Sequence, residues 1–161
     1  MNRRIAGFHR DADSHWVAEL DCGHGQHVRH DPPFVERPWT QTEEGRAARI
    51  GTELDCVRCD RREMPDDFAP YRRTASFTEA TMPAALRRRH STKRGVWGLI
   101  HVARGRLAYR VFEPVGTEEI LEPGTNGVVI AEVEHAVEPL GEVEFFVEFW
   151  RLPTVSESPI R

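Results

Sequence analysis

The sequence predicts a mainly β protein in two parts: a small α+β module over residues 1–62 and an antiparallel β-barrel over residues 71–153. Three observations predict it. All three cysteines fall in the first part, as Cys22-x-His24 and then Cys56-x-x-Cys59, so two tight knuckles can wrap one metal ion. The second part is a series of short β-branched or aromatic runs separated by turn residues, the pattern of a sandwich or barrel. Between them, residues 63–70 are charged and carry prolines, and read as a linker.

Taken in order, residues 4–9 and 15–20 alternate apolar and polar around Asp11-Ala12-Asp13-Ser14, which predicts a β-hairpin. Gly23 and Gly25 allow the sharp path of the first knuckle. A third short strand is expected from Gln26 to His30, ended by Pro32-Pro33. Thr40, with Glu43 three residues on, resembles a capping box, so a short helix is expected to run to Ile50 and stop at Gly51. It delivers the chain to Cys56 and Cys59. In the second part, strands are expected at 71–77, 97–102, 107–112, 118–121, 128–130, 135–137 and 143–150. Arg104-Gly105, Pro123-Gly124 and Leu140-Gly141 read as the turns between them, Pro83 to Arg89 as one helical turn, and residues 154–161 as a flexible tail.

Composition narrows the function. Hydrophobic residues make up 39% and charged residues 30%, and no apolar run approaches the roughly 20 residues that span a bilayer, so no membrane partner is expected. The first residues lack the apolar core of a secretory signal, which predicts a cytoplasmic protein. The net charge of -4 divides into about -1 for residues 1–62 and about -3 for the remainder. Neither part carries the basic excess that neutralises phosphates, so nucleic acid is not an expected partner. No serine has a base and an orienting group at readable spacing, which leaves nucleophilic catalysis without support.

A segment as short as 1–62, broken by glycine and proline, buries too little apolar surface to offset chain entropy unaided, and a structural zinc fits that need. Three cysteines cannot all pair as disulfides, whereas a Cys₃His shell uses all of them with one histidine. His24 is the expected fourth ligand from its spacing to Cys22, with nearby His27 as the alternative. Such a sulfur-rich shell is closed and structural. Gly7-Phe8-His9, His15 to Leu20, Cys22 to His30, Pro32-Pro33, Arg37-Pro38-Trp39 and Cys56-x-x-Cys59 together resemble a family of short bacterial proteins of unknown function. The resemblance implies a zinc-ribbon-like module and no activity.

His90, ahead of the strand that starts near Trp97, and His135, expected to begin the penultimate strand, stand where a small barrel would converge ligands. The layout looks like a degenerate cupin, with Thr92 where that family has a second histidine and Trp97 or Gly98 near its usual carboxylate. Met82 to Leu86, His90 to Gly98, Gly105 to Tyr109 and His135 to Pro139 resemble the cupin-like domain found in YeaR-like bacterial proteins and ahead of the methyltransferase in some tellurite-resistance proteins. For His90 and His135 two readings stand side by side: ligands of a second divalent ion (Zn, Fe, Mn or Ni), or two hydrogen-bonding barrel histidines. Glu132, Glu148 and His101 are candidate third ligands. Arg87, Arg88, Arg89, Lys93 and Arg94 form either an anion-attracting rim or a solvated charge run.

The resemblance implies a metal-binding stress or tellurite/oxyanion-response protein that takes a small molecule or oxyanion in its barrel and can pair into a homodimer. The alternatives are a metal-dependent cupin enzyme of dioxygenase or isomerase type, and a zinc-supported protein-interaction module.

Overall fold

The structure, a computed structural model, describes residues 1–28 and 37–154. The chain is mainly β, with an α+β N-terminal region, as the sequence predicts. β1 (Asn2–Arg10) and β2 (Trp16–Leu20) form the expected hairpin, extended by β3 (Gly25–His27) beyond β2 and by β4 (Glu53–Asp55) beyond β1. Asp11 makes the first turn, its Oδ1 accepting the backbone N–H groups of Asp13 and His15, while Ser14 takes a left-handed φ of 64°. The expected continuation of the third strand to His30 and its Pro32-Pro33 stop lie outside the described residues, as does the tail from residue 155.

The helix differs from expectation. Pro38–Thr40 form a 3-10 turn, and α1 (Glu43–Ala47) is capped by Thr42, whose hydroxyl accepts from Gly45 N at 3.0 Å. Thr40 instead donates its hydroxyl to Arg37 O, which holds the 3-10 turn. A capping box is ambiguous when two threonines lie two residues apart, and the proline decides which turn each one closes. α2 (Val57–Asp60) begins directly at Cys56.

The second part is one curled antiparallel sheet with two long strands at its centre, β7 (Trp97–Val111) and β10 (His135–Arg151). β8 (Thr117–Leu121) and β9 (Asn126–Val129) pair with opposite halves of β7, and β5 (Ala69–Arg73) and β6 (Phe77–Thr78) pair with the second half of β10. Of the three glycines expected to reverse the chain, Gly124 lies in the turn between β8 and β9, and the other two do not reverse it. Gly105 (φ 77°) and Gly141 (φ 94°) sit inside continuous strands, where the β7–β10 register shifts between Pro139 and Val143. A Cβ on Gly105 would lie 2.0 Å from Glu142 O, so glycine serves a bulge at which both strands bend together. His135 therefore begins the last strand, not the penultimate one.

The buried residues form one cluster through both parts, joining Ile5, Ala18 and Leu20 to Trp97, Val102 and Phe145. Phe68, in the segment that reads as a linker, belongs to the same cluster.

Candidate metal centre and barrel pocket

Cys22, His24, Cys56 and Cys59 converge. β2 ends in a turn whose Gly23 takes φ 95° with its Cα against the Phe68 ring, so that Cys22 and His24 point the same way. The α2 turn brings Cys59 over Cys56, with Cys59 N donating to Cys56 O. All four side chains are buried, and their ligand atoms lie within 4.8 Å of one another. His24 Nδ1 is 3.5 Å from Cys22 Sγ, 3.4 Å from Cys56 Sγ and 3.6 Å from Cys59 Sγ, and the Cys22 and Cys56 sulfurs are 4.0 Å apart. Ligands at tetrahedral zinc distances stand roughly 3.8 Å apart for two sulfurs and roughly 3.6 Å for sulfur and nitrogen. The side chains thus already hold the spacing of a four-ligand shell and can hold a metal such as zinc. His24 Nε2 donates to Glu63 O at 3.0 Å, which fixes the tautomer that turns the Nδ1 lone pair toward the sulfurs.

The thiols show why a cation suits this pocket. Hydrogen bonding to Cys56 pushes the Cys22 thiol up to about 11, while the same bond, with that from Cys59, draws Cys56 strongly down toward the thiolate. Cys59 is driven far up by hydrogen bonds with Cys22 and Cys56 and by burial, against the charge of Arg3. Three thiols sharing one another's protons support one thiolate; a divalent ion supports three. His27, the alternative ligand, instead gives its Nε2 to Asp11 Oδ2 at 2.7 Å, which holds the Asp11 carboxyl down at about 2.

His90 and His135 also meet. They form an isolated backbone bridge, and their rings lie 4.2 Å apart between centroids at 57°. Both face a cavity of about 90 Å³ whose walls, Thr92 apart, are otherwise apolar, including Leu86, Ile100, Val129, Val137, Phe145 and Phe149. Each Nδ1 lies on a carbonyl, His90 on Arg88 O at 2.9 Å and His135 on Val133 O at 3.1 Å, so each Nδ1 carries the proton and each Nε2 keeps its lone pair. Burial pulls the His135 pKa down to about 4, ahead of the opposing hydrogen bond to Val133 and the repulsion from His90. Thr92, where the resemblance leads one to expect a second histidine, also lines the cavity but donates its hydroxyl to Val96 O.

The candidate third ligands stand elsewhere. Glu132 lies 3.5 Å from Arg94, while Glu148 and His101 face each other at 3.5 Å on the opposite side of the sheet from Val147 and Phe149. The arginines around His90 are mostly matched: Arg87 pairs with Glu138, Arg89 with Glu134 and Arg94 with Glu132. Trp97 does not approach the cavity. Its buried indole Nε1 donates to Cys22 O at 2.7 Å and its ring meets His24 edge-on at 5.4 Å, so it serves the metal centre from the barrel side. The sequence marks Trp97 only as the start of a barrel strand, and its neighbours Val96 and Gly98 give no sign of the distant carbonyl it meets.

No helix among the described residues is long and apolar enough to cross a membrane. No curated protein matches the chain. Among solved structures, TehB from Haemophilus influenzae is similar at 26% identity and a TM-score of 0.51, over 55% of this chain and 33% of that one. The chain thus spans about a third of the length of that protein. A protein from Escherichia coli strain K12 is similar at 24% identity and a TM-score of 0.52, over 57% of this chain and 98% of that one, a likeness of fold. Residues 6–63 match the family described as a protein of unknown function (DUF3565) and residues 72–147 match the TehB-like domain, so the chain is similar to these two families in consecutive segments of a mainly β architecture.

Proposed function

We propose that this chain is a metal-binding, cupin-like protein in which a closed Cys₃His centre holds structural zinc and the barrel binds a second divalent ion through His90 and His135, open to a small molecule or oxyanion. The observation that carries the barrel reading is the pair of carbonyl-bound Nδ1 atoms, which leaves two Nε2 lone pairs and no donor at an apolar cavity. Two acceptor nitrogens cannot bind an oxyanion directly, because both partners offer only lone pairs. A cation between them reconciles the two. It would supply Lewis acidity and coordination positions for ligand oxygens. The apolar walls keep competing water out, and the carbonyl-held rings fix the approach of both nitrogens. A tie to tellurite or general stress response rests on the likeness to TehB, of whose length the chain spans about a third.

Metal content tests this. Purified protein should carry one tightly held zinc and bind a second divalent ion more weakly, as two imidazoles alone dictate. The double variant His90→Ala, His135→Ala should lose the second ion and keep the first. If that variant retains full metal content under saturating Ni²⁺ or Mn²⁺, the barrel site is wrong. Tellurite or nitrite should perturb the d–d spectrum of Co²⁺ in the barrel of the wild-type chain and not of the double variant.

A further inference from the structure

Phe8, Arg10 and Trp16 share one face of the first hairpin, because Phe8 pairs with Ala18 and Arg10 with Trp16 across β1 and β2. The 3-10 turn and α1 pack onto that face. Trp39 meets Phe8 edge-on at 5.9 Å between centroids, and Arg46 and Arg10 stand against the Trp16 ring, with Cζ atoms 3.8 and 4.7 Å from its centroid. Arg49 stands 5.1 Å from the Trp39 ring. Backbone carbonyls hold the first two guanidinium groups in place: Arg46 Nη1 donates to Thr40 O at 2.6 Å and Arg10 Nη1 to Ser14 O at 3.2 Å. Among the described residues no carboxylate lies within ion-pair distance of Arg10, Arg46 or Arg49, whereas Arg58, Arg62, Arg87, Arg89, Arg94 and Arg110 each meet one. Three cations thus stand among aromatic rings without counter-charge.

Net charge conceals this patch, because the hairpin sorts its charges by face. Glu19, with Asp11 and Asp21, lines the cleft on the side of His9 and Val17, the residues that alternate with Phe8, Arg10 and Trp16. The sum over residues 1–62 therefore excludes a broad basic field and leaves a local one. A guanidinium stacked on an indole has its plane fixed and its outer N–H donors free, so phosphate oxygens meet the donors while an unpaired base stacks on the guanidinium or indole plane. A duplex hides its base faces and asks for more basic surface than three arginines give. We infer that Arg10, Arg46 and Arg49, with Trp16 and Trp39, form a binding site for single-stranded nucleic acid, phosphates on the guanidinium groups and bases against the flat side chains. The site is independent of both metal positions.

The test uses the full chain and a fluorescein-labelled single strand of about 12 nucleotides, as RNA and as DNA, followed by fluorescence anisotropy. Arg10→Gln with Arg49→Gln should weaken binding at least about tenfold, while Arg104→Gln with Arg106→Gln, the same charge change at exposed barrel positions, should stay within about twofold. The logarithm of the binding constant should fall with the logarithm of salt at a slope of about -2, as three phosphate contacts to a single strand dictate. The same sequence as a duplex should bind at least about tenfold more weakly. Arg10→Lys with Arg49→Lys keeps the charge and loses the flat donor, so it should lose most of that preference for the single strand. Should the glutamine pair fail to fold, the lysine pair decides: an undiminished preference overturns the stacked site. Absence of single-strand binding at low salt, equal losses in the two glutamine pairs, or a duplex held as tightly as the single strand each overturns the inference. Anionic phospholipid vesicles that displace the strand at equal phosphate concentration assign the arginines to a membrane surface and overturn it as well.

Discussion

The Cys22–His24–Cys56–Cys59 centre and the His90–His135 pocket use the same device, ring nitrogens oriented by backbone carbonyls, and reach opposite ends. At the first, Glu63 O turns His24 onto three sulfurs, and the shell is complete within side chains the protein supplies. At the second, carbonyls orient two imidazoles toward an apolar cavity that offers no further ligand. A full set of protein ligands leaves no coordination position for chemistry and turns binding energy into folding energy; a partial set binds weakly and stays open. The difference separates a brace from a site.

The largest expected effect strikes the brace. Cys56→Ser removes a buried ligand and should abolish zinc retention and the β1–β4 sheet, since structural zinc contributes about 10 kcal/mol or more to small modules. Far-UV circular dichroism with metal analysis checks it, and a stable, zinc-free, fully folded variant would end the distinction between the two regions. Next come two glycines of nearly equal φ. Gly23→Ala should cost about 2 to 3 kcal/mol, because its Cβ would lie 2.4 Å from the Phe68 ring, while Gly141→Ala, with open space around it, should cost about 1 kcal/mol. Urea titration of both variants measures how much tighter the packing is at the knuckle than at the barrel bend.

The barrel side responds to pH. His135 stays neutral in the folded chain down to about pH 4 and protonates near 6.5 when unfolded, so the unfolded state gains protons first as the pH falls. The stability is present above about pH 6.5 and is lost toward pH 4, with roughly 2 kcal/mol gone between pH 7 and 5. His135→Gln should remove that part of the profile, and an imidazole that titrates near 6.5 in the folded protein would refute it. The smallest effect joins the regions: Trp97→Phe retains a smaller aromatic ring and leaves Cys22 O without its buried donor, and that lost hydrogen bond costs about 1 to 2 kcal/mol in thermal unfolding.

Much of this was legible in the sequence because its signals are local. The period-2 hairpin, the C-x-H and C-x-x-C knuckles and the two histidines at strand starts are read within a few residues of themselves. His24 could not be separated from His27 by spacing, because Asp11, sixteen residues away from His27, is what draws that ring off the centre. Gly105 and Gly141 read as turns because positive φ looks the same in a turn and in a bulge; only the paired bend of β7 and β10 distinguishes them. Arg3 sits at an inward position of an alternating strand, where Ile5 follows it, and its carbonyl partner Ala131 lies too far along the chain for that strand to announce it.

Residue chemistry and short-range spacing alone thus determined a mainly β chain, a four-ligand cluster and a pair of barrel histidines. Tertiary structure decided that the cluster packs against the barrel through Trp97, that Arg3 reaches Ala131 O, and that His90 and His135 meet at a cavity otherwise lined by Thr92 and apolar side chains. Those outcomes depend on contacts between residues 45, 75 or 128 positions apart, which no local pattern encodes because the chain must fold before the partners exist.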